Sequence, residues 1–186
     1  MLFNPGAGDL LIAPPAIIDS RFAKTVLIIT HHNPKGSFAL CVNKLTDHTV
    51  NDILEPLDIF IKEDCPLYWG GPVNPNTIWM LHDRSWSVEN TLPVDDYWSV
   101  TSHNDMFDKM KNGDCPARFR VFAGHAAWAP GQLEGELRGE DPWRTEHSWL
   151  TVRAPNPDWL MEQEPELLWS TGCSLSGQQA VESWLS

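Results

Sequence analysis

No apolar run in the sequence is long enough to cross a bilayer. The longest, Thr25–Thr30 (TVLIIT), is strand-sized, against the roughly 20 apolar residues a spanning helix needs. No basic stretch followed by an apolar one opens the chain, so no signal peptide and no membrane partner are expected, and a cytoplasmic location is the default. Positive charge is scarce: 13 Lys and Arg face 25 Asp and Glu, for a net −12, and the one close basic pair, Lys109 and Lys111, sits among acidic residues. A surface of that sign repels phosphate backbones, which speaks against direct binding to DNA or RNA. Cys41, Cys65, Cys115 and Cys173 are far apart, with no C-x-x-C and no zinc-type spacing. Free thiols are therefore expected, some packed as small hydrophobes, with no metal and no cofactor. A Gly-x-Ser-x-Gly elbow is missing too. WGGPV (Trp69–Val73) lacks the helix and lysine of a phosphate cradle and reads as a tight turn needing positive φ.

What is present suits a globular core: 42% of the 186 residues are hydrophobic. No low-complexity linker divides the chain, so a single domain over 1–186 is expected, with room for a subdomain seam near 83–100. Ten tryptophans are scattered without a period. Such side chains pack cores and rims, and they leave a ligand wall or a homo-oligomeric surface open. GDLLIAPP reads as a strand stopped by Pro14 and Pro15. The continuous, β-branched TVLIIT predicts a central strand buried on both faces, paired with SFALCVN as a hairpin across HHNPKG. Val50, Ile53, Leu54 and Leu57 fall on one helical face, capped by Thr49 or Asp47. CPLYWGGPV and TIWMLHD read as strands, the latter as one member of a second hairpin. A helix should bury Met106, Phe107 and Met110 and stop at Gly113. Phe119–Ala123 alternates like a strand, SWLTVRAP is a last strand, and the tail reads as short helices broken at Pro165 and Gly177. Hairpins beside helices, without regular β–α alternation, predict an α+β fold with a mixed sheet.

The ordered stretches GDLLIAPP, TVLIITHHNPKGSFALCVNK, YWGGPV, WMLHD and GHAAWAPGQLEGEL together resemble the AlgH/YqgE-like family over nearly the whole chain. Gly124, Ala126, Trp128, Gly131, Gln132, Leu133, Glu134 and Glu136 fall on its most specific pattern, and Gly70, Gly71, Pro72, Val73, Leu81, His82, Val42 and Asn43 match elsewhere. The sequence departs from the pattern with His125 in place of tyrosine, Ala127 in place of glycine, Lys44-Leu45 in place of Arg-Pro, and GEDPW after the acidic helix. The resemblance implies bifurcated β-sheets forming a pseudo-barrel, with short helices packed outside. It implies no established activity, cofactor or catalytic residue. Some members carry a transcriptional-regulator label through a link to alginate control, but nothing here resembles a helix-turn-helix.

The stretch Ala123–Trp143 concentrates the polar candidates. Pro130 suits a first helical turn, Gly131 permits a close backbone approach, Leu133 and Leu137 share a face, and Glu134 and Arg138 are spaced for an ion pair. Glu134 and Glu136 are two apart and diverge on a helix, so they are not the paired carboxylates of a glycosidase. Two readings stand. Either this is a corner, with Trp128 buried, Gln132 bonding loop backbone and Glu134 at the helix start, or Gln132 and Glu134 face a cleft beside Trp128. The candidate ligand-binding residues are Asn43, His82, His125, Trp128, Gln132 and Glu134. His31 and His32 are adjacent on a strand end and point to opposite faces, so only one of them could join His82 or His125 at a metal. Cys41 could pair with His31, although its apolar neighbours favour an inert thiol. The preferred function is binding of an unidentified protein or small molecule without catalysis, compatible with a regulatory role. The alternatives are an enzyme whose cleft lies at Trp128–Glu134, with His125 or His82 as acid/base, and a transcriptional regulator by family label alone.

Overall fold

A computed structural model describes residues 3–17, 19–140, 142 and 149–185; Asp141 and Trp143, at the end of the GEDPW stretch, lie outside them. Among the described residues ten strands are formed: β1 (Leu10–Ile12), β2 (Val26–Asn33), β3 (Gly36–Cys41), β4 (Leu45–Thr49), β5 (Pro66–Trp69), β6 (Val73–Asp83), β7 (Leu92–Pro93), β8 (Trp98–Thr101), β9 (Phe119–Trp128) and β10 (Leu150–Val152). The helices are α1 (Val50–Leu54), α2 (Asp105–Lys111), α3 (Gln132–Arg138), α4 (Pro157–Glu162) and α5 (Pro165–Leu185). No helix among the described residues is long and apolar enough to cross a membrane.

The strand order is β10-β1-β2-β3-β9-β6-β8-β7, with β5 parallel to β9 and β4 antiparallel to β5. The sheet bifurcates at β9. One edge of β9 pairs with β6. The other is shared, with Val121–Ala123 beside β5 and Ala126–Trp128 beside β3. The end strands β10 and β7 do not meet, so the sheet folds over without closing. One apolar core still joins Leu10, Ile28 and Leu40 from one arm to Leu81, Val100 and Phe122 from the other.

As the sequence predicts, β2 is buried on both faces: Val26 and Ile28 enter the shared core, while Leu27 and Ile29 pack with Trp128 and Leu133. The α+β class, the bifurcation and the external helices also agree with expectation. Local departures have physical causes. Residues Leu45–Thr49 do not merely approach a helix; they form β4 and pair with β5. Thr49 ends β4 and caps α1 in a capping box with Asp52. Leu57 is exposed, because α1 gives way at Leu54 to a 3-10 turn containing Pro56. β6 pairs antiparallel with β8 across an intervening stretch, and with β5 it flanks β9. Gly177 does not break the tail, since α5 runs through it on an exposed face.

The fork depends on glycine. Gly70 N–H donates to Ala123 O and Gly70 O accepts from Cys41 N, each at 2.8 Å, so this residue sits between β9 and β3 where β5 wedges in. A Cβ on Gly70 or Gly71 would collide with the backbone of Gly124 or His125. The Gly-Gly pair is thus a close-approach device, not only a turn. Gly124 has φ +74 in the middle of β9 and lies against the Gly71 carbonyl. Gly124→Ala is expected to cost at least about 3 kcal/mol in urea unfolding. The exposed Gly177→Ala should instead stabilise by up to about 1 kcal/mol.

Candidate functional site

Strand periodicity carries the first site. Before Gly124, odd residues Val121 and Ala123 face the core containing Met80 and Met106, while Phe122 faces the shared core. The left-handed residue resets the phase, so that His125 joins Leu40 and Val100 of the shared core. A second irregularity lies between Ile29 and His31 in β2, and it brings both Thr30 and His31 to the same side. Between these bulges lies a cavity of ≈ 460 Å³, lined by Thr30, His31, Phe38, Leu40, Trp79, Leu92, Pro93, Val100 and His125.

The polarity of this cavity is unusual. Thr30 Oγ1 donates to the Phe38 carbonyl at 3.3 Å, and His31 Nε2 lies 2.7 Å from Asn33 Nδ2. His125 is 5% exposed, and its ring lies 5.2 Å from Phe38 and 5.7 Å from Trp79. Trp79 Nε1 and His125 Nδ1 are the buried side-chain N or O atoms without a hydrogen-bond partner among the described residues. Both residues line this cavity, although the two nitrogens themselves are buried away from its open space. Burial pushes the His125 pKa below 6.5, so its ring is neutral at pH 7.

The second site is the β9–α3 corner. Gly131, with φ +75, precedes α3, so Pro130 sits in the turn and not in the first helical turn. Glu136 gathers the donors: Trp128 Nε1 and Trp149 Nε1 each reach Oε2 at 3.0 Å, and Gln132 Nε2 reaches Oε1 at 2.9 Å. Gln132 Oε1 accepts from Ala129 N at 3.0 Å. A cleft of ≈ 450 Å³ opens beside Trp128, Gln132, Glu136 and Trp149, with Arg21 and Asp19 at its wall. Glu134 turns the other way, 3.6 Å from His32 Nε2. His32 Nδ1 is 2.8 Å from Ser37 Oγ. The Glu134–Arg138 pair does not form, and Arg138 meets Glu140 at 3.3 Å.

The remaining candidates sit apart. Asn43 Oδ1 accepts from Val26 N at 2.8 Å and its Nδ2 donates to Lys24 O at 2.9 Å, clasping β3 to the start of β2. His82 is fully buried, with Nδ1 2.8 Å from Asp83 O and Nε2 2.9 Å from Thr101 Oγ1, and burial lowers its pKa. Cys41 is buried, and desolvation pushes its thiol up to about 12, far from a thiolate at neutral pH. Among the described residues, the trio close enough to share an ion is Glu89, His103 and Asp105, which contains none of His31, His82 and His125. The structure thus brings Trp128 and Gln132 together and leaves Asn43, His82, His125 and Glu134 at four other places. Sequence reasoning misses Glu136 and Trp79. Glu136 has a legible signal, because Trp128, Gln132 and Glu136 recur every four residues. Trp79 has none, since its meeting with His125 depends on the bulge.

The AlgH-like family profile matches residues 10–180. A UPF0301 protein of Rhizorhabdus wittichii is 34% identical over 173 residues, covering 91% of this chain and 89% of that protein. One from Sphingopyxis alaskensis is 33% identical over 177 residues, covering 93% and 90%. The solution structure of the AlgH protein from Pseudomonas aeruginosa superposes with a TM-score of 0.74 at 27% identity, covering 94% of this chain and 92% of that one. A crystal structure of a protein from Corynebacterium diphtheriae, at TM-score 0.66 and 21% identity, covers 89% and 86% and shares the fold.

Glu136→Ala leaves two indole N–H groups without their acceptor and is expected to lower unfolding stability by about 2–4 kcal/mol. Glu134→Gln, read in the same urea titration, should change it by less than about 1 kcal/mol. His82 and His125 are both held neutral, with folded pKa values below 6.5. The unfolded chain therefore takes up more protons as pH falls through 6.5, and the stability present above that value drains away on acidification. Melting curves between about pH 8 and about pH 5 should show that loss, with a shallower slope in His125→Phe.

Proposed function

The chain belongs to the AlgH-like family, and from that premise we propose that it acts by binding a small apolar ligand in the Trp79–His125 cavity, without catalysis. One observation carries this reading. A cavity of ≈ 460 Å³ is walled mainly by apolar side chains and has no Lys, Arg, Asp or Glu among its lining residues. That volume falls within the ordinary range for ligand sites.

The corner cleft is the weaker claimant, because Glu136, Trp128, Trp149 and Gln132 satisfy one another. An enzymatic reading at Trp128–Glu134 draws little support from Glu134, whose neighbour is His32 and neither His82 nor His125. A regulator assignment rests on the family label, and the charge of −12 speaks against direct nucleic-acid contact. Within this reading the protein is a single cytoplasmic domain over 1–186. The four free thiols, which suit a reducing compartment, support that location.

Toluene tests the cavity directly, being neutral, apolar and small. It should raise the melting temperature in a concentration-dependent way and shift the amide resonances of Phe38, Trp79 and His125. Val100→Phe, which fills the cavity from β8, should abolish both effects. An unchanged melting temperature, or an equal response from Val100→Phe, overturns the reading.

A further inference from the structure

Away from the apolar cavity, the loop between β6 and β7 meets the start of α2 through three metal-ligating side chains. Glu89, His103 and Asp105 each offer a donor atom, and these atoms all lie within 4.8 Å of one another. Among the described residues neither Glu89 nor Asp105 forms an ion pair with Lys or Arg; Asp105 Oδ2 instead stands 3.2 Å from His103 Nδ1. Two carboxylates held this close repel, and a cation between them offsets the repulsion. The imidazole sets the trio apart from an ordinary patch of surface acids, because its unprotonated nitrogen is a ligand for transition ions.

The backbone that carries these groups is tied down on both sides. Glu89 sits in a turn where Val88 N donates to Thr91 Oγ1 at 3.0 Å and Thr91 N donates to Val88 O at 3.3 Å. Thr91 Oγ1 lies 2.8 Å from Thr101 Oγ1 at the end of β8, just before His103. Lys109 Nζ donates to Ser87 O at 3.0 Å, drawing the same loop against the helix that Asp105 opens. A tetrahedral ion about 2.0–2.1 Å from its ligands sets them about 3.3 Å apart. His103 Nδ1 and Asp105 Oδ2, at 3.2 Å, already have that spacing. Asp105 N–H also approaches Nδ1, at 3.3 Å, a long contact that an ion at this nitrogen replaces. The Glu89 side chain is exposed, so it can rotate to close the third bond.

We propose that Glu89, His103 and Asp105 bind a divalent transition ion of the Zn²⁺ class, with water in the position the protein leaves open. One nitrogen and two carboxylates suit Zn²⁺, Co²⁺ or Ni²⁺. Ca²⁺ takes about six to eight oxygens and Mg²⁺ keeps its waters, so neither gains from the imidazole.

Calorimetric titration of the full chain with zinc chloride, at about pH 7.5 with the thiols kept reduced by a phosphine, should reveal this site. His103→Ala and Glu89→Gln should each weaken binding at least about tenfold. Glu182→Gln, at an exposed carboxylate of α5 outside the trio, should leave it unchanged. Cobalt(II) should give weak d–d absorption without the intense near-ultraviolet band of a cobalt–thiolate bond, and its paramagnetism should broaden the amide resonances of Glu89 and His103 first. Excess Ca²⁺ or Mg²⁺ should not displace zinc. Should His103→Ala fail to fold, Glu89→Gln, at an exposed turn, decides. The proposal falls if zinc does not bind, if the variants bind it as tightly as the unaltered chain, or if a cobalt–thiolate band marks the cysteines as the ligands.

Discussion

The close backbone approach of Gly70 and Gly71 to Gly124 is the constraint on which the molecule turns. A sheet can fork only where a third strand reaches an edge already in use, and side chains at the fork would hold the backbones apart. Here Gly70 bonds both β3 and β9, and Gly71 and Gly124 lie carbonyl against α-carbon with no room for a Cβ. From that contact β5 enters parallel to the first half of β9, β3 takes the second half, and the two arms fold over a shared core.

The same residue that permits the fork also places the cavity. Strand side chains alternate with period two, and a left-handed residue resets the phase. His125 consequently leaves the face of Val121 and Ala123 and meets Phe38 and Trp79. The neighbouring bulge in β2 puts His31 on the cavity side along with Thr30, and strand alternation then sends His32 to Glu134. Two backbone irregularities thus build one largely apolar space, with two unpartnered nitrogens buried in the residues that wall it.

The corner beyond β9 shows the opposite use of polar groups. Glu136 takes three N–H donors from two indoles and a glutamine, fastening α3 and Trp149 to the end of β9. Asn43 fastens the far end of β3 to β2, and His82 bridges Asp83 and Thr101 within the β6–β8 region. These polar side chains match the family pattern by residue type, yet each is occupied in holding elements together. The same polar vocabulary therefore serves architecture at three places and remains unmet at the fourth, where Trp79 and His125 stand.

Much of the fold is readable from residue order alone. A continuous β-branched run can only be content when both faces are covered, so β2 identifies itself. Met106, Phe107 and Met110 mark the inner face of α2 by spacing, and Glu134 and Glu136 diverge because a helix turns about 100° per residue. These are local consequences of chain geometry. What only the tertiary structure decided is non-local: that β5 and β6 flank β9, that Leu45–Thr49 finds a strand partner, and that Glu136, not Glu134, faces the tryptophans. The Trp79–His125 cavity belongs with these. A bulge shifts every later side chain to the other face, while its cause, the fit of one glycine against a distant carbonyl, leaves no periodic mark in the sequence.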